Sequence, residues 1–212
     1  MDPSRTFFNS LKDFFLDIIG FLIPGIYSLF LLTFIFPYEN FKNLLIPEYE
    51  VITLLTLTYI MGYIIFGISE LFDKIFRYRI RIEKGLKEGP VYGISQIHYY
   101  KHLCKLNYKV DIKQISFRSV RNYCMSKFPE MDEKIYKFQF RSEFSNHIAN
   151  ISLIAFVIYL LIIYPFYDNC NFNFFTIILL FIGIILKSVR KRFFTIAQIL
   201  PMTIYISNTN GE

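Results

Sequence analysis

The stretch VITLLTLTYIMGYIIFGI, Val51 to Ile68, runs eighteen residues without a charged side chain and is closed by Ser69-Glu70. At about 1.5 Å per residue, about 20 apolar residues cross the ~30 Å hydrocarbon core of a bilayer, so this stretch reads as a membrane span. Three more apolar stretches lie outward from it: Phe14 to Phe36, interrupted only by Asp17, then Ile148 to Phe166 and Phe172 to Leu186. The last is several residues short, which predicts that Lys187 snorkels or that the bilayer thins there. The first is too long for a secretory signal and lacks a small-residue cleavage site.

Composition agrees. Apolar residues make up 54% of the 212-residue chain and charged residues 19%, against about 25% charged in soluble domains. Twenty-five Phe and 16 Tyr, with a mean hydropathy of +0.38, exclude a disordered chain. Nine Gly and three Cys exclude collagen-like and disulfide-framed classes. Cys104, Cys124 and Cys170 are odd in number and never at CxxC spacing, so they read as unpaired, mostly buried thiols rather than zinc ligands.

The distribution of bases sets the expected orientation. The loop from Pro37 to Glu50 holds only Lys42, and Tyr167 to Asn171 holds none. Arg5 and Lys12 precede the first span, sixteen bases fall between the second and third, and Lys187, Arg190, Lys191 and Arg192 follow the fourth. All but Lys42 of the 23 bases lie on one side if both termini and the middle are cytoplasmic. The expectation is an all-α fold of four transmembrane helices with both ends inside. Residues 1–69 form one hairpin, 70–147 a small, mainly helical basic insert, and 148–212 a second hairpin with a basic tail.

Several residues stand out in the spans. Pro24-Gly25 breaks the first span midway and reads either as a gating, pore-lining bend or as a packing kink. Gly62 and Gly67, five apart, permit close backbone approach without forming a GxxxG face. Thr53, Thr56 and Thr58 offer hydroxyls to a neighbouring helix or a wet lumen. Asp17 and Glu70 lie near the cytoplasmic ends, where they either ring an acidic vestibule or pair with Lys74, Arg77 or the tail bases. No span carries a charge near its centre, which disfavours a proton pump or ion-coupled transporter.

The insert carries sixteen bases and nine acids between Glu70 and His147, a net charge of 16 − 9 = +7. The second span is expected to continue to Tyr78, with breaks at Gly85, Gly89-Pro90 and Gly93. Ser95 is expected to cap a helix from Gln96 to Leu106. Val110 to Phe117 alternates too poorly to assign as a strand. Pro129 with Asp132 and Glu133 predicts a helix start running into the third span. Bases interleave with rings throughout, as in Phe76-Arg77-Tyr78-Arg79 and Tyr136-Lys137-Phe138-Gln139-Phe140-Arg141. Such surfaces bind phosphates by charge and bases by stacking, so Arg77, Arg79, Lys101, Arg118, Arg121 and Arg141 are the candidate ligand contacts. Positive-inside bias and anionic headgroups explain the same bases without any soluble ligand.

Catalysis finds little support, and no cofactor is expected. His98 and His102 share a helix face, but no HExxH, GxxxxGK[ST] or GxSxG is present, and a solvated face is the expected reading.

The first span carries IGxxIPG (Ile19-Gly20, Ile23-Pro24-Gly25) and the second YxxG (Tyr59, Gly62). A basic insert follows, then Arg141-Ser142-Glu143-Phe144 leads into the third span, and a basic stretch follows the fourth. This layout resembles the small four-helix membrane proteins of bacterial anti-phage operons, the Hailong membrane effectors first and the Kiwa membrane subunits second. The resemblance implies a multi-pass inner-membrane homo-oligomer, a tetramer, enclosing an ion-conducting pore. It further implies a short single-stranded DNA or nucleotide ligand, made by a partner enzyme, that acts on the cytoplasmic part. Pro24, Gly25, Gly62, Gly67, Asp17 and Glu70 are the candidate pore and gating residues. A non-conducting sensor or scaffold that recruits a cytosolic defence partner is the rival expectation, and a lipid-handling protein the third.

Overall fold

The computed structural model describes residues 3–33, 49–163 and 170–209, with side chains described for 18–33, 49–129, 131–161 and 174–209. Every regular element among the described residues is helical. The α-helices are α1 (Pro3–Leu32), α2 (Glu50–Ile75), α3 (Tyr78–Lys87), α4 (Pro90–Lys105), α5 (Phe117–Lys127), α6 (Asp132–Ile158) and α7 (Cys170–Thr209). Helix α2, and α6 continued by a π turn as far as Leu161, are long and apolar enough to cross a membrane. Parts of the first and third expected spans lie outside the described residues. So do most of the loops Pro37–Glu50 and Tyr167–Asn171, and the side chains of Arg5, Lys12, Asp17 and Cys170.

The chain divides into two units. Met1–Phe72 and Glu143–Val189 form the first; Asp73–Ser142 and Arg190–Glu212 form the second. The basic insert thus shares a unit with the segment after the fourth apolar stretch.

In the first unit, backbone meets backbone where α1 crosses α2. A Cβ on Gly25 would overlap the Thr58 carbonyl oxygen and lie 3.2 Å from the Gly62 nitrogen. A Cβ on Gly62 would overlap the Phe21 carbonyl oxygen. Small residues here let the helices approach closely, and Phe21 then stacks on Tyr63 with ring centroids 4.2 Å apart. Pro24 is buried within α1 beside this crossing. Leu31, Ile65, Ile151, Ala155, Tyr159 and Leu179 form the apolar core, and the Tyr159 hydroxyl donates to the Leu31 carbonyl.

Beside this core the unit buries polar side chains and exposes many large apolar ones. Ser28, Thr58, Ser69, Ser145, Asn146, Asn150, Ser152 and Thr176 are buried, while Ile19, Ile23, Ile26, Leu54, Ile60, Ile64, Phe181 and Ile185 are exposed. The Thr56 and Thr58 hydroxyls donate to the Ile52 and Leu55 carbonyls of their own helix, both at 2.8 Å, and Thr58 is buried at the crossing with α1.

The second unit is a smaller helical body. Tyr92, Ile115, Phe117, Val120 and Cys124 pack with Met202 and Tyr205 of α7. The expected continuation of the second span stops at Ile75, because Arg77 adopts φ 48° and the chain restarts as α3. Gly85 and Gly93 do not break the chain; they lie within α3 and α4. Helix α4 begins earlier than expected, at Pro90, whose fixed φ suits a first turn, with extended Gly89 preceding it. Ser95 is therefore interior to α4 and fully buried, not a cap. The cap that does form is Ser116, whose Oγ accepts from the Ser119 amide at 3.0 Å at the start of α5. Val110 to Ser116 is a 3₁₀ turn flanked by coil, Phe117 opens α5, and α6 starts at Asp132 with Asp132 and Glu133 in its first turn, as expected.

Candidate functional site

Within the second unit, four helices converge on one buried charge. Arg190 of α7 is 1% exposed, and its guanidinium pairs with the Asp73 carboxylate at the end of α2. The same guanidinium lies 3.9 Å over the Tyr78 ring of α3, and Ser142 of α6 donates its hydroxyl to the Arg190 carbonyl at 3.3 Å. Arg79 Nε stands 3.9 Å from the same Asp73 oxygen. The chemistry is that of a planar cation held between a carboxylate and an aromatic face, an arrangement that suits arginine and not lysine. Arg190 Nε is buried and has no acceptor among the described residues.

Beside this cluster, between α3 and α7, lies a cavity of about 490 Å³ lined by Tyr78, Arg81, Gly85, Leu86, Lys191 and Thr195. Helical spacing makes it: Tyr78, Arg81 and Gly85 fall at three- and four-residue intervals on α3, and Lys191 and Thr195 four apart on α7, so each set shares a face. Two cations, a hydroxyl and a ring with no carboxylate in the lining make an anion-accepting cavity.

None of the six sequence-predicted ligand residues lines that cavity or two further ones in this unit, beside Tyr108 and beside Asn122. Arg77 occupies the left-handed joint, and Arg79 leans toward Asp73. Lys101 and Arg118 are exposed on α4 and α5. Arg121 Nε donates to the Ala197 carbonyl at 3.4 Å, and burial first, then the nearby Arg118 charge, lowers its pKa from the ordinary arginine value. Arg141 lies over the Phe193 ring at 5.7 Å. The lining bases Arg81 and Lys191 were hidden in basic runs, and the one signal for Arg81 was its position three residues after Tyr78.

The predicted pore and gating residues also scatter. Gly25 and Gly62 are filled by the α1–α2 contact, whereas a Cβ on Gly67 meets nothing within 4 Å. Asp17's side chain lies outside the described residues. The ion pair with the tail bases foreseen for Glu70 is formed three residues further along, by Asp73.

Sequence reasoning missed a polar cluster in the first unit. Lys187 does not snorkel outward. Its ammonium donates to Asn146 Oδ1 at 2.8 Å and Asn150 Oδ1 at 2.6 Å, and Asn150 Nδ2 donates to Ser69 Oγ at 2.8 Å. Asn146 and Asn150 are one helical turn apart on α6, which was the available signal.

His98 and His102 are half-buried: His98 meets the Tyr205 ring at 5.7 Å and His102 the Tyr123 ring at 5.0 Å. Among the described residues, no three His, Cys, Asp or Glu side chains group as metal ligands. Burial pushes the Cys124 thiol up to about 11, opposed by the Ser95 hydroxyl, and burial with the Tyr205 hydroxyl pushes Tyr123 to about 12. Comparison with protein-family models, curated proteins and solved structures gives no match to this chain.

Proposed function

We propose that this chain is a bacterial inner-membrane effector of anti-phage defence. In this reading it spans the bilayer four times with both termini inside and assembles as a homo-oligomer, a tetramer. An ion pathway runs through the assembly, gated through the cytoplasmic part by a nucleotide or short single-stranded DNA ligand from a partner enzyme. The observation that supports its membrane part is the polarity of the first unit, where Ser69, Asn146 and Asn150 are buried and Ile19, Ile64 and Ile185 exposed. Water rewards the opposite arrangement; hydrocarbon accommodates this one, because polar side chains there must find partners inside the protein.

The test is ion flux from liposomes holding the purified protein, with and without short single-stranded DNA on the cap side. Ligand-dependent flux supports the reading; its absence under both conditions removes the pore.

The filled crossing at Gly25 and Gly62 favours a second reading. With backbone packed on backbone, those glycines act as spacers, and the bundle serves as a sealed anchor for a scaffold that recruits a cytosolic partner. Stable capture of one co-encoded cytosolic protein by a non-conducting assembly supports this alternative.

A further inference from the structure

We infer that the α3–α7 cavity of the second unit is a binding site for a phosphate group carried by a small molecule, with Arg81 and Lys191 as its charge partners and Thr195 as a hydroxyl donor. The inference deepens the ligand arm of the proposed function and rests on that reading only for the ligand's cytoplasmic origin. Three observations carry it. The cavity's 490 Å³ falls within the roughly 300–1,000 Å³ of small-molecule sites, room for one nucleotide-sized group. Its described lining supplies two cations and no carboxylate, so an anion entering it meets no like charge. Its Tyr78 wall is held from within by Arg190, 3.9 Å from the ring and itself fixed by Asp73. A wall locked by a buried ion pair is preorganised, which lowers the ordering cost of binding.

Gly85 makes the site testable without touching charge. Gly85 is an exposed part of the cavity lining and a Cβ there meets nothing within 4 Å, so a longer side chain is accommodated at the rim without displacing protein atoms.

Binding is read on purified full-length protein with two probes. A fluorescent ribose-labelled adenosine monophosphate reports a soluble phosphate by anisotropy, and nanodiscs with and without phosphatidate report a lipid phosphate. Saturable binding of the first assigns a soluble ligand; phosphatidate dependence without nucleotide binding assigns a headgroup. For whichever probe binds, Arg81→Ala and Lys191→Ala are expected each to weaken it about tenfold, the scale of one charge-assisted hydrogen bond. Gly85→Met is expected to weaken it similarly at unchanged net charge, while the exposed Lys113→Ala stays within about twofold. No saturable binding of either probe overturns the proposal, as does Gly85→Met binding like wild type. Liposome flux separates the two readings: flux without probe binding removes this site and keeps the pore, and probe binding without flux does the reverse.

Discussion

Asp73 and Arg190 are 117 positions apart, yet their side chains are 8% and 1% exposed and paired with each other. Two charges withdrawn from water are tolerable only together. Removing one strands the other, so Arg190→Ala or Asp73→Ala is expected to cost roughly 3–5 kcal/mol of stability. The double change Asp73→Leu with Arg190→Met is expected to cost much less. Thermal unfolding in detergent checks this, and equal losses for single and double variants would contradict the pairing.

The α1–α2 crossing predicts a sharp contrast among glycines. Gly25→Val and Gly62→Leu force side-chain atoms into opposing backbone, which no rotamer relieves, and are expected to cost at least about 2 kcal/mol. Gly67→Leu meets open space and is expected to fold normally. Helix contact can be read by a disulfide or crosslink between α1 and α2. It follows that loss of conductance in Gly62→Leu would report broken packing, and Gly67→Leu is the cleaner probe of a pore.

Alkaline pH is expected to destabilise the second unit. Burial raises the folded thiol of Cys124 from an ordinary 9.0 to about 11, and the Tyr123 hydroxyl from 10.0 to about 12. Both groups ionise more readily unfolded, so their contribution is intact below about pH 9 and drains away as pH rises toward 11 and 12. Tyrosinate absorbance and unfolding midpoints between pH 8 and 12 measure it; a flat midpoint across that window would contradict the buried positions.

In a Cys170→Ser background, the two cysteines of the second unit also report sidedness. Cys104 is exposed and Cys124 buried. A membrane-impermeant maleimide is expected to label Cys104 only after the inner face is opened, and Cys124 only after unfolding. Labelling of Cys104 on intact spheroplasts would reverse the proposed topology.

Arg77 holds φ 48° without being glycine, a conformation costing an ordinary residue about 1 kcal/mol. Arg77→Gly is therefore expected to be neutral or to gain up to about 1 kcal/mol in unfolding experiments. Unchanged DNA binding by that variant would strike Arg77 from the ligand contacts.

The helical class was readable because runs such as Val51 to Ile68 bury or expose apolar surface whatever their neighbours do. The start of α6 was readable because Pro129, Asp132 and Glu133 act on their own backbone. Long-range pairing was not. Nothing local distinguishes Arg190 from Lys191 and Arg192, yet one is buried against Asp73 and the next lines a cavity. Gly62 was legible as a point of close backbone approach, but nothing local named Phe21 of α1 as the backbone that approaches it. The ligand contacts were drawn from the densest base-and-ring runs, whereas a cavity depends on where α3 and α7 leave space, which no run of residues encodes.

Tyr78 is at once a wall of the α3–α7 cavity and the platform beneath Arg190. A guest that tilts the ring must therefore disturb the guanidinium resting on it, and a guest that fits the ring as it stands tightens the hold on Asp73. Thermodynamic reciprocity makes the traffic two-way: whatever factor occupancy contributes to that pair, loosening the pair takes the same factor from occupancy.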